Sequence, residues 1–219
     1  MLPYKAIAFD YDDTLVASSP QIHYPSWVQI LKEMRPNVHH TYEEFESYCF
    51  NPGFFTFLTD IMHFTPEEIE YQNKRWHDFA DHTVPDFFPG IIDILHELNQ
   101  SAIPWFIVSH SAHSQIERAF KEKTDVMPQL IYGCDYEETK RKPYPFPLID
   151  GAKKLHIKPS DIIMIDDLLP GKIMADRVGA QFIAAGWGQD VPIIRTAMKK
   201  EAPNYCLTVN ELKHMLFNK

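Results

Sequence analysis

Residues 104–123 read PWFIVSHSAHSQIERAFKEK. The run 104–108 is continuously apolar, Ser109, His110 and Ser111 are polar, and 114–123 has a helical pattern. A short, unbroken apolar run suits a strand buried on both faces, the habit of parallel sheets covered by helices. The same unit recurs at 5–9 (KAIAF), 129–132 (QLIY), 161–165 (DIIMI) and 181–185 (QFIAA). Between the runs lie helical patterns. Ile91, Ile94, Leu95 and Leu98 form one apolar stripe over 90–100, and 144–156 and 171–179 fill the later gaps. Gly179 suits the position that closes a helix. Strand and helix in alternation predict an α/β protein with a doubly wound, Rossmann-like parallel sheet.

The interval 16–87 breaks this rhythm and reads as helices only. Thr65-Pro66-Glu67-Glu68 combines an N-cap threonine, proline at the first helical position and a glutamate that can return to the cap; Thr41-Tyr42-Glu43-Glu44 is a second capping box. Trp27, Ile30, Leu31 and Met34 fall on one face of a helix that Pro36 ends. The expected organisation is therefore a core from residues 1–17 and 88–219, with an all-helical domain, 18–87, inserted just after the first strand. The cap aromatics Trp27, Tyr42, Phe45, Phe54, Phe55, Phe57 and Trp76 fall at helical spacings and are expected to form the core of that insertion.

The chain has 219 residues, of which 45% are hydrophobic and 13% aromatic, enough for a sizeable core without disulfides. Its 21 Lys and Arg against 30 Asp and Glu leave a net charge of −9, which argues against nucleic-acid binding through a basic surface. The three cysteines, Cys49, Cys134 and Cys206, show no CxxC spacing, so neither a disulfide framework nor a cysteine zinc site is indicated. The opening MLPYKAIAFDYDDT has no signal-peptide apolar stretch, and no run approaches a membrane span. A cytoplasmic protein is expected.

Polar chemistry gathers where the apolar runs end, the side on which open α/β sheets bind ligands. Asp10 and Asp12 in Phe9-Asp10-Tyr11-Asp12-Asp13-Thr14 share a face by the two-residue period of a strand. Two close carboxylates repel unless a cation sits between them or they divide nucleophile and acid roles. Ser109 follows the second run, where its hydroxyl can donate to a phosphoryl oxygen or cap the next helix. Lys142, in Lys142-Pro143-Tyr144-Pro145, offers a point positive charge. Asp166 and Asp167 close the run IIMI, and adjacent carboxylates there favour a divalent ion. The pairs His39–His40, His77–His82 and His110–His113 lack any HExxH pattern or cysteine pair, so they are read as ordinary surface or cap histidines.

The order strand-DxDxT, strand-Ser, Lys-Pro, strand-DD resembles the haloacid dehalogenase-like (HAD) hydrolase superfamily. FDYDDTLVAS is similar to its first motif, IVSHS to the second, KPYPFP with Ala152 to the third and MIDDLLPGKIMADRVGA to the fourth. Phe88–Leu95 resembles the usual return from cap to core, the helical insertion resembles the family's cap, and His23 with Trp27 resembles a common feature of the first cap helix. Two departures stand out. Asp13 occupies the position after the second aspartate where glycine is usual, and Gly171 stands where the fourth motif commonly carries a later acid.

The resemblance implies an enzyme, a Mg²⁺-dependent phosphatase of a small phosphorylated metabolite. Asp10 would be the nucleophile and Asp12 the acid and base. Ser109, His110 and Lys142 would hold the phosphate. Mg²⁺ would sit on Asp10, the Asp12 carbonyl and the Asp166-Asp167 pair, with Asp167 favoured as the direct ligand. Thr14 would stabilise the first loop. Alternatives on the same scaffold are a phosphomutase, a phosphonatase drawing an amine from Lys32 or Lys74, and a dehalogenase. The last needs neither a metal nor Asp12. A non-catalytic binding protein stands further off, since Asp10 and Lys142 are both present.

Overall fold

A computed structural model describes residues 4–217; residues 1–3 and 218–219 of the expected core segments lie outside the described residues. Six parallel strands form one sheet: β1 (Ala6–Phe9), β2 (Trp105–Val108), β3 (Ile131–Tyr132), β4 (Ile162–Asp166), β5 (Gln181–Ala185) and β6 (Tyr205–Cys206), in the order β3-β2-β1-β4-β5-β6. This is the doubly wound arrangement expected from the alternating pattern. The strand order reverses between β1 and β4, and the carboxyl ends of those two strands flank the crevice where such sheets take ligands.

Alternation along each strand explains why the apolar runs are unbroken. Ile7, Phe9, Trp105, Ile107, Ile163, Ile165 and Ile183 pack on one face. Ala6, Ala8, Phe106, Val108, Ile162, Met164 and Phe182 pack on the other. The first face is covered by α5 (Ile91–Gln100), α6 (His113–Lys123) and α10 (Val209–Phe217), the second by α7 (Phe146–Lys154), α8 (Leu169–Asp176) and α9 (Pro192–Glu201). Burial of every residue in β1, β2 and β4 leaves no polar face for the sequence to record.

Between β1 and α5 the chain is helical: a π-wound turn (Ser19–His23), α1 (Tyr24–Met34), α2 (Tyr42–Tyr48), a short α3 (Phe54–Thr56) flanked by π-wound turns, and α4 (Pro66–His82). Val16 makes an isolated bridge to Phe87, so the two connections lie side by side. Both capping boxes are present: Glu44 N–H bonds the Thr41 hydroxyl, and Glu68 N–H bonds that of Thr65. Trp27, Leu31, Phe45, Phe57 and Leu58 form a separate cluster, against which Phe54 packs. Three of the aromatics expected in that cluster lie elsewhere. Phe55 is 68% exposed, Tyr42 packs against the main core, and Trp76 stacks on His23. Helical spacing gives a face but not what the face meets.

Candidate active site

Asp10 follows β1 directly and Asp166 ends β4; because Phe9 pairs with Ile165, the two aspartates are neighbours across the central pair of strands. The Asp10 N–H donates to the Ile165 carbonyl at 2.8 Å. Asp10, Asp166 and Asp167 are buried, and one carboxylate oxygen from each lies within 4.8 Å of the others. Lys142 is buried among them, its Nζ 2.7 Å from Asp10 Oδ1 and 2.6 Å from Asp166 Oδ2. Burial disfavours the ammonium, but the two carboxylates outweigh it and hold Lys142 charged. Asp10 and Asp167 are both pushed well above the ordinary carboxylate range, by burial first and then by neighbouring acids, with Asp166 foremost.

Three carboxylates against one ammonium leave a buried excess of negative charge. Hard oxygen donors, close together and short of positive charge, fit a divalent cation such as Mg²⁺. Among the described residues no other His, Cys, Asp or Glu group has metal-ligand spacing, so the histidine pairs noted in the sequence form no such site.

Asp12 is treated differently. Its Oδ2 accepts the hydroxyls of Ser109 at 3.0 Å and Ser111 at 2.7 Å, and its Oδ1 accepts Ser18 at 2.7 Å. His23 Nε2 stands 3.6 Å from Oδ1. Burial alone would raise the carboxyl, yet His23, Ser111 and Ser18 overcome it and hold Asp12 well below its usual range. On the other side of the ring, Trp76 Nε1 donates to His23 Nδ1 at 3.1 Å. That bond requires an unprotonated Nδ1, so His23 presents Nε2–H to Asp12. Two aspartates that period-2 spacing treats alike thus sit in opposite environments.

The expected phosphate ligands are near one another, with one difference. The Ser109 hydroxyl is engaged with Asp12 and also accepts the Ser111 N–H at 2.9 Å. His110 is exposed and its Nε2 lies 3.0 Å from the Lys142 carbonyl. Desolvation and the Lys142 charge favour its neutral form. Lys32 and Lys74 are both exposed on the insertion, so nothing supports an amine from either.

Several contacts at the site are not visible in the sequence. Ser111 was visible in IVSHS but not distinguished from Ser109. Gln189 Nε2 donates to Asp167 Oδ2 at 2.6 Å, and Thr14 Oγ1 lies 3.4 Å from Asp167 Oδ1. The Trp187 indole donates to the Thr14 carbonyl at 3.0 Å, and a Cβ on Gly188 would lie 1.6 Å from the Asp13 carbonyl oxygen. Only glycine lets the loop after β5 pass so close to the DxDxT turn. Asp13 itself has φ +52°, the left-handed conformation that asparagine and aspartate tolerate better than most residues. A groove of about 420 Å³ lined by Ser26, Gln29, Ile30, Arg75 and Phe79 includes none of the buried carboxylates, whereas a smaller hollow is lined by Asp12, His23, Trp76 and Ser111.

The profile of the haloacid dehalogenase-like hydrolases matches residues 7–185. Hexitol phosphatase A of Escherichia coli K12 is 26% identical over 197 residues, covering 86% of each chain. An uncharacterised hydrolase of Saccharomyces cerevisiae is 26% identical over 174 residues, covering 74% of this chain and 68% of that one. A HAD-family hydrolase of Deinococcus radiodurans, solved with bound phosphate and sodium, superimposes with a TM-score of 0.79 at 22% identity, covering 99% of this chain and 96% of that one.

Proposed function

This chain belongs to the haloacid dehalogenase-like hydrolases, and from that premise we propose that it is a Mg²⁺-dependent phosphatase acting on a small phosphorylated metabolite through an aspartyl-phosphate. The observation that carries the reading is the division between Asp10, gathered with Asp166, Asp167 and Lys142, and Asp12, held apart by hydroxyls and His23.

Asp10 attacks phosphorus, the bond to the leaving oxygen breaks, and the phosphoryl group passes to the aspartate. Lys142 and Ser109 offset the charge on the phosphoryl oxygens, with His110 at the rim. Asp10, Asp166, Asp167 and the Asp12 carbonyl would hold Mg²⁺, which when bound supplies charge neutralisation at the phosphoryl oxygens. Asp12 gives a proton to the leaving oxygen, then removes one from the water that cleaves the acyl-phosphate. Its low proton affinity suits the second task. The first is helped when the Ser109 hydroxyl turns from Asp12 to the phosphoryl group, since each lost donor raises the affinity of Asp12 for a proton.

Residues 18–87 act in this reading as a cap that covers a small substrate and excludes water. Free Cys49, Cys134 and Cys206 suit a reducing, cytoplasmic setting, and among the described residues no helix is long and apolar enough to cross a membrane. The test is phosphate release from an aryl phosphate with and without excess chelator. Mg²⁺-restored turnover supports the reading; full turnover in chelator overturns the metal assignment and moves a metal-independent route forward.

A further inference from the structure

Asp167 is oriented by the loop that follows β5. Gln189 is buried, at 2% exposure, and its Nε2 donates to Asp167 Oδ2 at 2.6 Å, whereas Thr14 Oγ1 stands 3.4 Å from Oδ1. The other two carboxylates of the cluster have different partners. Asp166 Oδ2 takes Lys142 at 2.6 Å and its Oδ1 takes the Leu168 N–H at 2.8 Å, while Asp10 Oδ1 takes Lys142 at 2.7 Å. The Gln189 amide is thus the short bond that sets how Asp167 is turned.

The loop carrying this amide is fixed at each step. The Gly186 N–H donates to the Cys206 carbonyl at 2.8 Å, and the Trp187 indole to the Thr14 carbonyl at 3.0 Å. Gly188 lies against the Asp13 carbonyl, and the Gln189 carbonyl accepts Arg195 Nε. Support of this kind holds a side chain in one place before any ligand arrives. Packing alone does not account for a glutamine here. Its Oε1 is buried without a partner among the described residues, and an unpaired buried acceptor costs stability. Reversing the amide would set that oxygen against the Asp167 carboxylate.

With Oδ2 taken, Oδ1 is the less engaged oxygen of Asp167. One oxygen per carboxylate suits Mg²⁺, which demands near-ideal octahedral geometry. Ca²⁺ is larger, takes more oxygens in flexible arrangements and readily accepts both oxygens of one carboxylate. To chelate through both, Asp167 must turn Oδ2 away from Gln189 and leave a buried N–H unpaired.

From this geometry we infer that Gln189 is a positioning residue for the metal: it holds Asp167 to ligation through one oxygen and so favours Mg²⁺ over Ca²⁺. The inference rests on the Mg²⁺-dependent phosphatase reading and names the residue that sets the choice of ion.

Titration calorimetry of the full-length, chelator-stripped protein with Mg²⁺ and with Ca²⁺ tests it. Gln189→Met keeps the bulk and removes the donor. It should weaken Mg²⁺ binding by about 10–100-fold, the range for partners that orient a metal ligand. Ca²⁺ binding should weaken far less, so the ratio of the two affinities should fall by at least about tenfold. Gln189→Asn, whose amide is one methylene too short to span the same distance, should move the ratio in the same direction and decides if Gln189→Met does not fold. A merely structural glutamine would lower the denaturant midpoint in chelator, or weaken both ions alike, with the ratio unchanged. That result overturns the inference, as does a ratio that moves towards Mg²⁺. Wild-type protein that binds no Mg²⁺ overturns the metal reading and the inference with it. Wild-type binding with a ratio that neither variant moves sinks the inference alone.

Discussion

Gly171 lies against Asp166: a Cβ added to this glycine would stand 2.3 Å from Asp166 Oδ2. The same oxygen is 2.6 Å from Lys142 Nζ, so the glycine in α8 makes room for the carboxylate that fixes the lysine. The glycine that stands where the fourth motif commonly carries a later acid thus leaves room for Asp166 of the paired aspartates.

Gly171→Ala should displace Asp166 and, through it, Lys142. Alanine is the better helix former by about 0.5–1 kcal/mol, so stability alone would favour the change. Misplacing a substrate-positioning charge by an ångström can cost roughly 10²-fold in rate. The expected result is a fall in kcat/KM on an aryl phosphate of about that size. Gly171→Asp should lose more, and adding Asp166→Gly should restore part of it by vacating the space. Full activity in Gly171→Ala would show that Asp166 has room to spare.

Asp10→Asn removes the attacking carboxylate, so no phosphoenzyme should form. Asp12→Asn keeps the nucleophile but loses the base for water attack, a loss of roughly 10²–10⁴-fold. With an aryl phosphate, whose leaving group needs little protonation, the adduct should accumulate and be seen by mass spectrometry as a phosphoryl group on Asp10. An adduct on Ser109 or a histidine would reverse the assignment of the nucleophile.

The strands that position these residues were legible because parallel strands buried on both faces write themselves as apolar runs; five of the six were visible. β6 was missed, since Tyr205–Cys206 is only two residues long and sits at the sheet edge. The α1 and α4 ends were legible from Pro36 and the Thr65 box. What the sequence could not display was long-range pairing. The convergence of Ser18, Ser111 and His23 on Asp12 joins residues up to 99 positions apart. Gly171 and Gly188 looked like absences of side chain, and their meaning appears only when the atoms facing them are known.

Arg118 on α6 donates to the carbonyls of Ala80, Asp81 and Thr83 at the end of α4, at 2.7, 2.5 and 3.1 Å. These are groups the helix cannot satisfy itself. The bonds tie the cap to the helix that follows Ser109. Arg118→Ala should lower stability by about 1.5–3 kcal/mol, the range for hydrogen bonds to charged groups, and speed hydrogen exchange in α4. Unchanged exchange in α4 would mean the arginine is not what holds the cap down.

The last prediction concerns Asp13, buried at the cap–core boundary. Burial and the nearby Glu46 push its carboxyl up to about 7 against the Ser19 bonds. A group whose folded value is raised binds its proton more tightly in the native state than in the unfolded chain. Its contribution is therefore fully present below about pH 4 and is lost as pH rises towards 7, at up to roughly 1.4 kcal/mol per pH unit. Denaturant midpoints of the metal-free protein should fall across that window through this group. Asp13→Asn carries no ionisable proton there, so its midpoint should decline less steeply and overtake the wild type at pH 8. The comparison is made in excess chelator, because Mg²⁺ held by Asp167 and the Asp12 carbonyl would lie close enough to Asp13 to favour its ionised form. Parallel profiles for the two proteins from pH 4 to 8 would place the proton elsewhere, with Glu46 as the next group to replace.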